Sequence, residues 1–403
     1  MTVTVRYMQE ESFTRRAEAL AAFTEQTGIE VTIDLLPAER FWQESRAAFG
    51  DPPSWDLLVP DEAIVAEQLH RGTLEPLGRR AHRDSFELDD FLQAGIDAFR
   101  AADMVYAVPY AAKCNVLIYR RDVLHRYGLP VPATWEELRQ IARAAQAALR
   151  AEGQVEVYGF ASSGRPGYGH NFSIIGSTLF PSWGWHWNRG SGQPPRVEEP
   201  ATIDALAFYA ALLHEAGPPD AAILTSADAR RLFREGKVVF LLDIATELAA
   251  LHRDGLAGTG YRVGIARVPT GPTGRPEPGL QSPAFCIPVT SAVKDEAWEL
   301  LKFLASHEEM VQDAIAGGAA EPASHSVFTA DAYAAVYDPE FRLVVGDSRR
   351  YARINRPLIP FGFDLGEIVG TAAAAAIAGE MTAAEALRGA QRTVDAMRWT
   401  TSD

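Results

Sequence analysis

With 403 residues the chain is longer than one hydrophobic core commonly organises, so two lobes are expected. Its 47% hydrophobic and 23% charged residues are ordinary for a globular protein and leave little room for extended disorder. A formal charge of -15 disfavours nucleic acid and anionic lipid as partners. Nor does any stretch approach the roughly 20 apolar residues that a membrane-spanning helix needs.

Met1 to Val5 carries none of the basic, apolar and small-residue features of a secretory signal. Either the protein is cytosolic or its signal is absent from the given chain. The immediate entry into an alternating strand favours the second reading, and with it a periplasmic or extracellular membrane-associated location.

Val3, Val5 and Tyr7 alternate as a half-buried strand, a helix is predicted from about Thr14 to Thr27 with Gly28 stopping it, and Val31 to Leu36 reads as a second strand. The run from Trp55 to Val59 is apolar but for Asp56, as buried parallel strands are, and precedes a helix from Glu62 to Arg71 that ends at Gly72. This is α/β winding. Thr134 with Glu137 forms a capping box ahead of Leu138, Ile141, Ala142, Ala145 and Leu149, and Thr382 with Glu385 repeats it before the last helix. Between them, Gly164 to Pro195 is rich in Gly, Pro, Ser and Trp and is expected to be a long irregular region. A lobe crossing is expected just before the turn-rich segment Thr270 to Pro276.

Cys114 and Cys286 follow no metal or redox spacing; two buried thiols are expected, with a long-range disulfide as the alternative. The phosphate loop, zinc helix, EF-hand and nucleophile-elbow motifs are absent. In Gly164 to Gly169 the glycine spacing is wrong for a phosphate cradle, and Pro166 removes an amide, so that segment is a binding or structural loop. The histidines include no i, i+4 pair, and adjacent acids such as Asp89 and Asp90 read as a solvated face. No enzyme activity, metal or cofactor is expected.

Several stretches, in order, resemble the carbohydrate-type extracellular solute-binding proteins of bacterial ABC importers. They are Phe23 to Val31, Trp55 to Leu77, Val105 to Tyr110 followed by Leu117 to Asp122, Tyr127 to Leu138, Phe233 to Phe240, and Ala297 to Leu304. Leu242 to Thr246 and the tail from Pro357 are similar to the polyol and sugar-alcohol subgroup. Arg120 and Arg121 depart from the Asn-Lys common after the family's tyrosine, and Lys113 stands where some sugar receptors carry an acid.

The resemblance implies an α/β, periplasmic-binding-protein-like fold of two discontinuous lobes joined by a hinge, with a ligand cleft between them. The chain would cross near Ala111, Gly264 and Gly318, dividing it into 1–111 with 267–317 and 112–266 with 318–403. The function implied is capture of a sugar, polyol or sugar derivative, neutral or anionic, by lobe closure and delivery to the ABC permease transmembrane subunits by a monomer. A carbohydrate-active enzyme and a ligand sensor docking on a signalling protein are the alternatives.

Sugar hydroxyls call for planar hydrogen-bonding groups and their C–H faces for aromatic rings. Gln9 and Glu10 follow the first strand where the family places polar contacts, and Asp61 follows the third strand, where it could equally cap a helix. Trp183 and Trp185 alternate with Trp187 and would share a face if the segment were extended. Asp243 ends an apolar strand, where an acid is costly without a partner. Lys113 and Arg356 suit charge-assisted bonds, Arg165 lies in the glycine-rich loop, and Ser282 completes the candidate set.

Overall fold

The computed structural model describes residues 1–8, 13–47, 55–167, 171–187, 195–249, 261–354, 358–359 and 361–397. Among them the strands run β1 (Thr2–Met8), β2 (Glu30–Leu36), β3 (Leu57–Leu58), β4 (Arg100–Ala101), β5 (Met104–Val105), β6 (Ala107–Pro109), β7 (Lys113–Arg120), β8 (Tyr158–Ala161), β9 (Val238–Ile244), β10 (Val263–Arg267), β11 (Gly279–Gln281), β12 (Ala284–Cys286) and β13 (Arg353–Ile354). The chain divides into two compact units, each assembled from separate segments. No helix among the described residues is long and apolar enough to cross a membrane.

Unit 1 comprises Met1–Lys113, Gln281–Pro339 and Leu358–Gly362. Its sheet has the order β2-β1-β3-β12-β6, with β1 parallel to β2 and β3, and β12 antiparallel to β3 and β6. Alternation places Val3, Val5 and Tyr7 inside, none more than 2% exposed. The helix Phe13–Thr27 turns Leu20 and Phe23 inward and stops where Gly28 takes φ 71°. The helix Glu62–Arg71 starts at Asp61, which accepts from the amides of Ala63 and Ile64, and ends at left-handed Gly72.

Unit 2 comprises Cys114–Leu280, Glu340–Pro357 and Phe363–Asp403. Its sheet has the order β13-β11-β7-β9-β8, with β10 antiparallel to β7. All seven residues of β9 are buried, as expected for a strand covered on both faces. The helix Trp135–Ala151 carries both halves of the Thr134–Glu137 capping box, and Ala383–Ala396 those of Thr382–Glu385.

Two expectations are corrected. The chain leaves unit 2 at Leu280/Gln281 and not near Gly264, because β10 pairs with Arg120 to Val116 of β7 and Thr270 bonds Ala133 and Trp135. It leaves unit 1 again after Pro339 and not near Gly318, since Tyr333 and Tyr337 donate their hydroxyls to the carbonyls of Ala320 and Ala314. The Gly164 to Pro195 stretch is also not irregular throughout: Phe172–Ser182 is helical, with a π turn over Ile175–Leu179. Gly176 permits that turn, for a Cβ there would lie 2.4 Å from the Phe172 ring and 2.7 Å from Trp187. Cys114 and Cys286 are both buried free thiols.

Candidate functional site

Unit 1 holds a pocket of about 30 Å³ lined by Tyr7, Arg16, Tyr110, Phe285 and Asp313, with Ala19, Met310 and Ala319 completing its apolar wall. Arg16 is one helical turn before Leu20 and two before Phe23, so it projects from the inward stripe of its helix and is only 9% exposed. Its guanidinium lies 4.6 Å from the Tyr110 ring centre and 5.1 Å from that of Tyr7. Nη2 stands 3.8 Å from Oδ2 of Asp313, beyond hydrogen-bond reach. Asp313 Oδ1 is buried without a hydrogen-bond partner. Burial pushes the Tyr7 hydroxyl far up from its ordinary range, so it remains a neutral donor. At the rim Arg15 donates to Glu309 at 2.6 Å.

The expected contact residues of unit 1 fall into several environments. Asp61 spends one carboxylate oxygen on the helix amides at 3.1 and 3.2 Å. Ser282, 1% exposed, donates its amide to Glu62 Oε2 at 3.0 Å, so it and Asp61 meet at one helix start. Lys113 opens β7, half-buried. Gln9 and Glu10 lie outside the described residues, as does Arg356.

In unit 2, Asp243 is 8% exposed and is gripped by Arg230, Nε to Oδ2 at 2.8 Å and Nη2 to Oδ1 at 3.0 Å. The Ile244 amide adds a bond at 2.8 Å, and Glu247 takes the other side of Arg230 at 3.0 Å. The carboxylate is thus fully engaged by its own unit. Arg165 is exposed, its backbone tied to Leu224.

The tryptophan reading is corrected. A turn at Trp183 and Gly184, with Gly184 at φ 91°, breaks the extended run that alternation assumed. Trp185 is 1% exposed, packs on Phe180 and Trp187, and donates to the Arg196 carbonyl at 2.7 Å. Trp183 is half-buried against Phe208 and Trp135. Trp185 is therefore core, while Trp183 keeps a partly open face.

Arg16, Asp313, Glu62 and Arg230 were not among the sequence candidates. A charged residue on the inward stripe of an amphipathic helix was a readable signal for Arg16. Asp313 lies far along the chain, and nothing local couples the two. Among the described residues no cluster of three or more His, Cys, Asp or Glu is placed to hold a metal ion.

Two discontinuous α/β units of this topology define the periplasmic-binding-protein-like fold. MalE3 of T. maritima with bound maltose matches at a TM-score of 0.83, covering 98% of this chain and 99% of that one at 25% identity. An ABC transporter solute-binding protein of Agrobacterium radiobacter in complex with ribitol matches at 0.86, covering 98% of each chain at 24% identity.

The profile of the bacterial extracellular solute-binding protein family matches residues 18–341, and the chain belongs to that family. It is 27% identical to the mannitol-binding protein of Pseudomonas aeruginosa over 338 residues, 80% of this chain and 75% of that protein. To the erythritol/L-threitol-binding protein of Mycolicibacterium smegmatis it is 23% identical over 367 residues, 82% of this chain and 70% of that one. These relatives are named as binding proteins.

Proposed function

We propose that this chain captures a neutral, polyhydroxylated solute, a sugar or sugar alcohol, outside the cytoplasmic membrane and passes it unaltered, as a monomer, to the transmembrane subunits of an ABC importer. The observation that carries the reading is membership of the solute-binding family together with kinship to proteins named for mannitol and for erythritol and L-threitol. The unit 1 pocket supports it: aromatic and aliphatic walls suit C–H surfaces, and each cation there faces an acid, Arg15 with Glu309 and Arg16 with Asp313. That local balance favours a neutral solute over an anionic sugar, because among the described residues that line the pocket each positive charge has a negative one beside it.

A thermal-shift screen of purified protein against sugars, polyols and acidic sugars tests this. A ligand that binds only the native state stabilises by about 2.7 kcal/mol at 100 times Kd. A selective upward shift with a neutral polyol or sugar is expected; a shift with acidic sugars alone would reverse the charge assignment.

A further inference from the structure

We propose that Thr178 is a positioning residue for solute capture: its hydroxyl, carried on the π turn, yokes the two strands by which the chain leaves unit 1 and returns to it, so that both crossings turn together when a solute drives closure. The affinity arm of the test below rests on the solute-capture reading above; the rest does not.

The first crossing falls between Lys113 and Cys114 and the second between Leu280 and Gln281. Asn115 follows Cys114, and Gly279 precedes Leu280. Thr178 Oγ1 accepts from both, from Asn115 Nδ2 at 2.8 Å and from the Gly279 amide at 3.0 Å. A hydroxyl oxygen has two lone pairs, so one atom serves two donors. All three residues belong to unit 2, where Thr178 is 0% and Asn115 1% exposed, and little water competes for these bonds.

The π turn over Ile175–Leu179 presents that hydroxyl. An extra residue in one helical turn re-aims the side chains that follow it, and such turns recur at functional sites. This one is tied at both ends: Asn115 Nδ2 also donates to the Ser173 carbonyl at 2.7 Å, and Ser182 Oγ donates to the Thr178 carbonyl at 2.7 Å. Within unit 1 the two strands are already joined by backbone, with Tyr110 donating its amide to Pro283 at 3.1 Å and Pro109 paired with Ala284. In unit 2 the partner of β7 is β11, only three residues long, and a ladder that short offers few bonds. Thr178 adds the side-chain bolt there. Hinges concentrate their dihedral changes in a few residues at the ends of elements. With the hydroxyl in place the changes at the two crossings are coupled, and without it each crossing turns more freely.

Pulsed electron-electron distance measurement on the full chain tests the proposal, with spin labels at Glu25→Cys and Ala144→Cys, exposed positions on one helix of each unit. Cys114 and Cys286 are buried and stay in place. Without solute, Thr178→Val is expected to give a distance distribution at least half again as broad as wild type, and Thr178→Ser, which restores the oxygen, one as narrow as wild type. Asn115→Ala frees the first strand from the same hydroxyl; it is expected to broaden the distribution likewise and serves if Thr178→Val fails to fold. In titrations with D-mannitol as the probe, Thr178→Val is expected to bind at least threefold more weakly than wild type and Thr178→Ser equally well, because a looser chain populates the binding-competent geometry less often. Unchanged widths in folded Thr178→Val and Asn115→Ala, with only a lowered denaturation midpoint, would show a hydroxyl that merely satisfies buried donors and would overturn the inference. Broadening in Thr178→Ser equal to that in Thr178→Val would overturn it too, as would D-mannitol affinity unchanged or tightened in Thr178→Val. A wild type that does not bind D-mannitol would count against the polyol reading, and the solute-free widths would still decide the yoke.

Discussion

Arg16 in unit 1 and Arg230 in unit 2 are both largely buried guanidiniums facing carboxylates, yet they end differently. Arg230 makes two bonds of 2.8 and 3.0 Å to Asp243 and a third contact of 3.0 Å to Glu247. Arg16 stands 3.8 Å from Asp313, held by two tyrosine rings, with a pocket beside it. Both oxygens of Asp243 are bonded within the fold, whereas Asp313 keeps a buried oxygen without a hydrogen-bond partner. The type of side chain does not distinguish a structural ion pair from a solute contact. What folding leaves unsatisfied does.

The largest expected effect probes the closed side of this comparison. Trp185→Ala should destabilise the protein by about 3–5 kcal/mol, the usual cost of truncating a buried tryptophan, with solute affinity of the folded fraction unchanged. Chemical denaturation and titration together check this; an affinity loss without a stability loss would return Trp185 to the contact set. Next, Arg230→Met should cost about 3 kcal/mol by stranding Asp243. The same change at Arg16 should cost less, about 1–2 kcal/mol, because its carboxylate pair stands 3.8 Å apart and not at bonding distance. Equal losses would erase the distinction between the two arginines.

The smallest effect is a gain away from both. In the hairpin of β4 and β5 the two turn residues, Ala102 and Asp103, sit at φ 46° and 62°. Such a turn favours Asn-Gly. Asp103→Gly should therefore stabilise unit 1 by about 0.5–1 kcal/mol without altering solute affinity, read as a rise in the denaturation midpoint.

Much of the scaffold was legible because its signals are local. The capping boxes at Thr134 and Thr382, the glycine stops at 28 and 72 and the alternation of β1 each depend on a few neighbouring residues. The second-unit crossing was misplaced because β10 looks like any short strand until its partner, β7, is known. The π turn was hidden by Gly, Pro and Ser, whose composition also describes a loop. The tryptophan triplet misled because alternation presupposes an extended chain, and Gly184 turns it. Among the candidate site residues, Asp61 and Asp243 were read with their alternatives attached, a helix cap and a costly buried acid, and those structural roles are what their bonds display. Arg16 and Asp313 come together only through packing of the helix Phe13–Thr27 against the helix His307–Ala316.

The central claim, reversible capture of an unaltered neutral polyhydroxylated solute, is tested most directly by equilibrium titration of the purified chain with polyols and sugars, followed by denaturation and chemical analysis of the released ligand. The account predicts saturable one-to-one binding of a neutral polyol or sugar and its recovery intact. Recovery of a chemically changed ligand, or saturable binding confined to charged solutes, would contradict it.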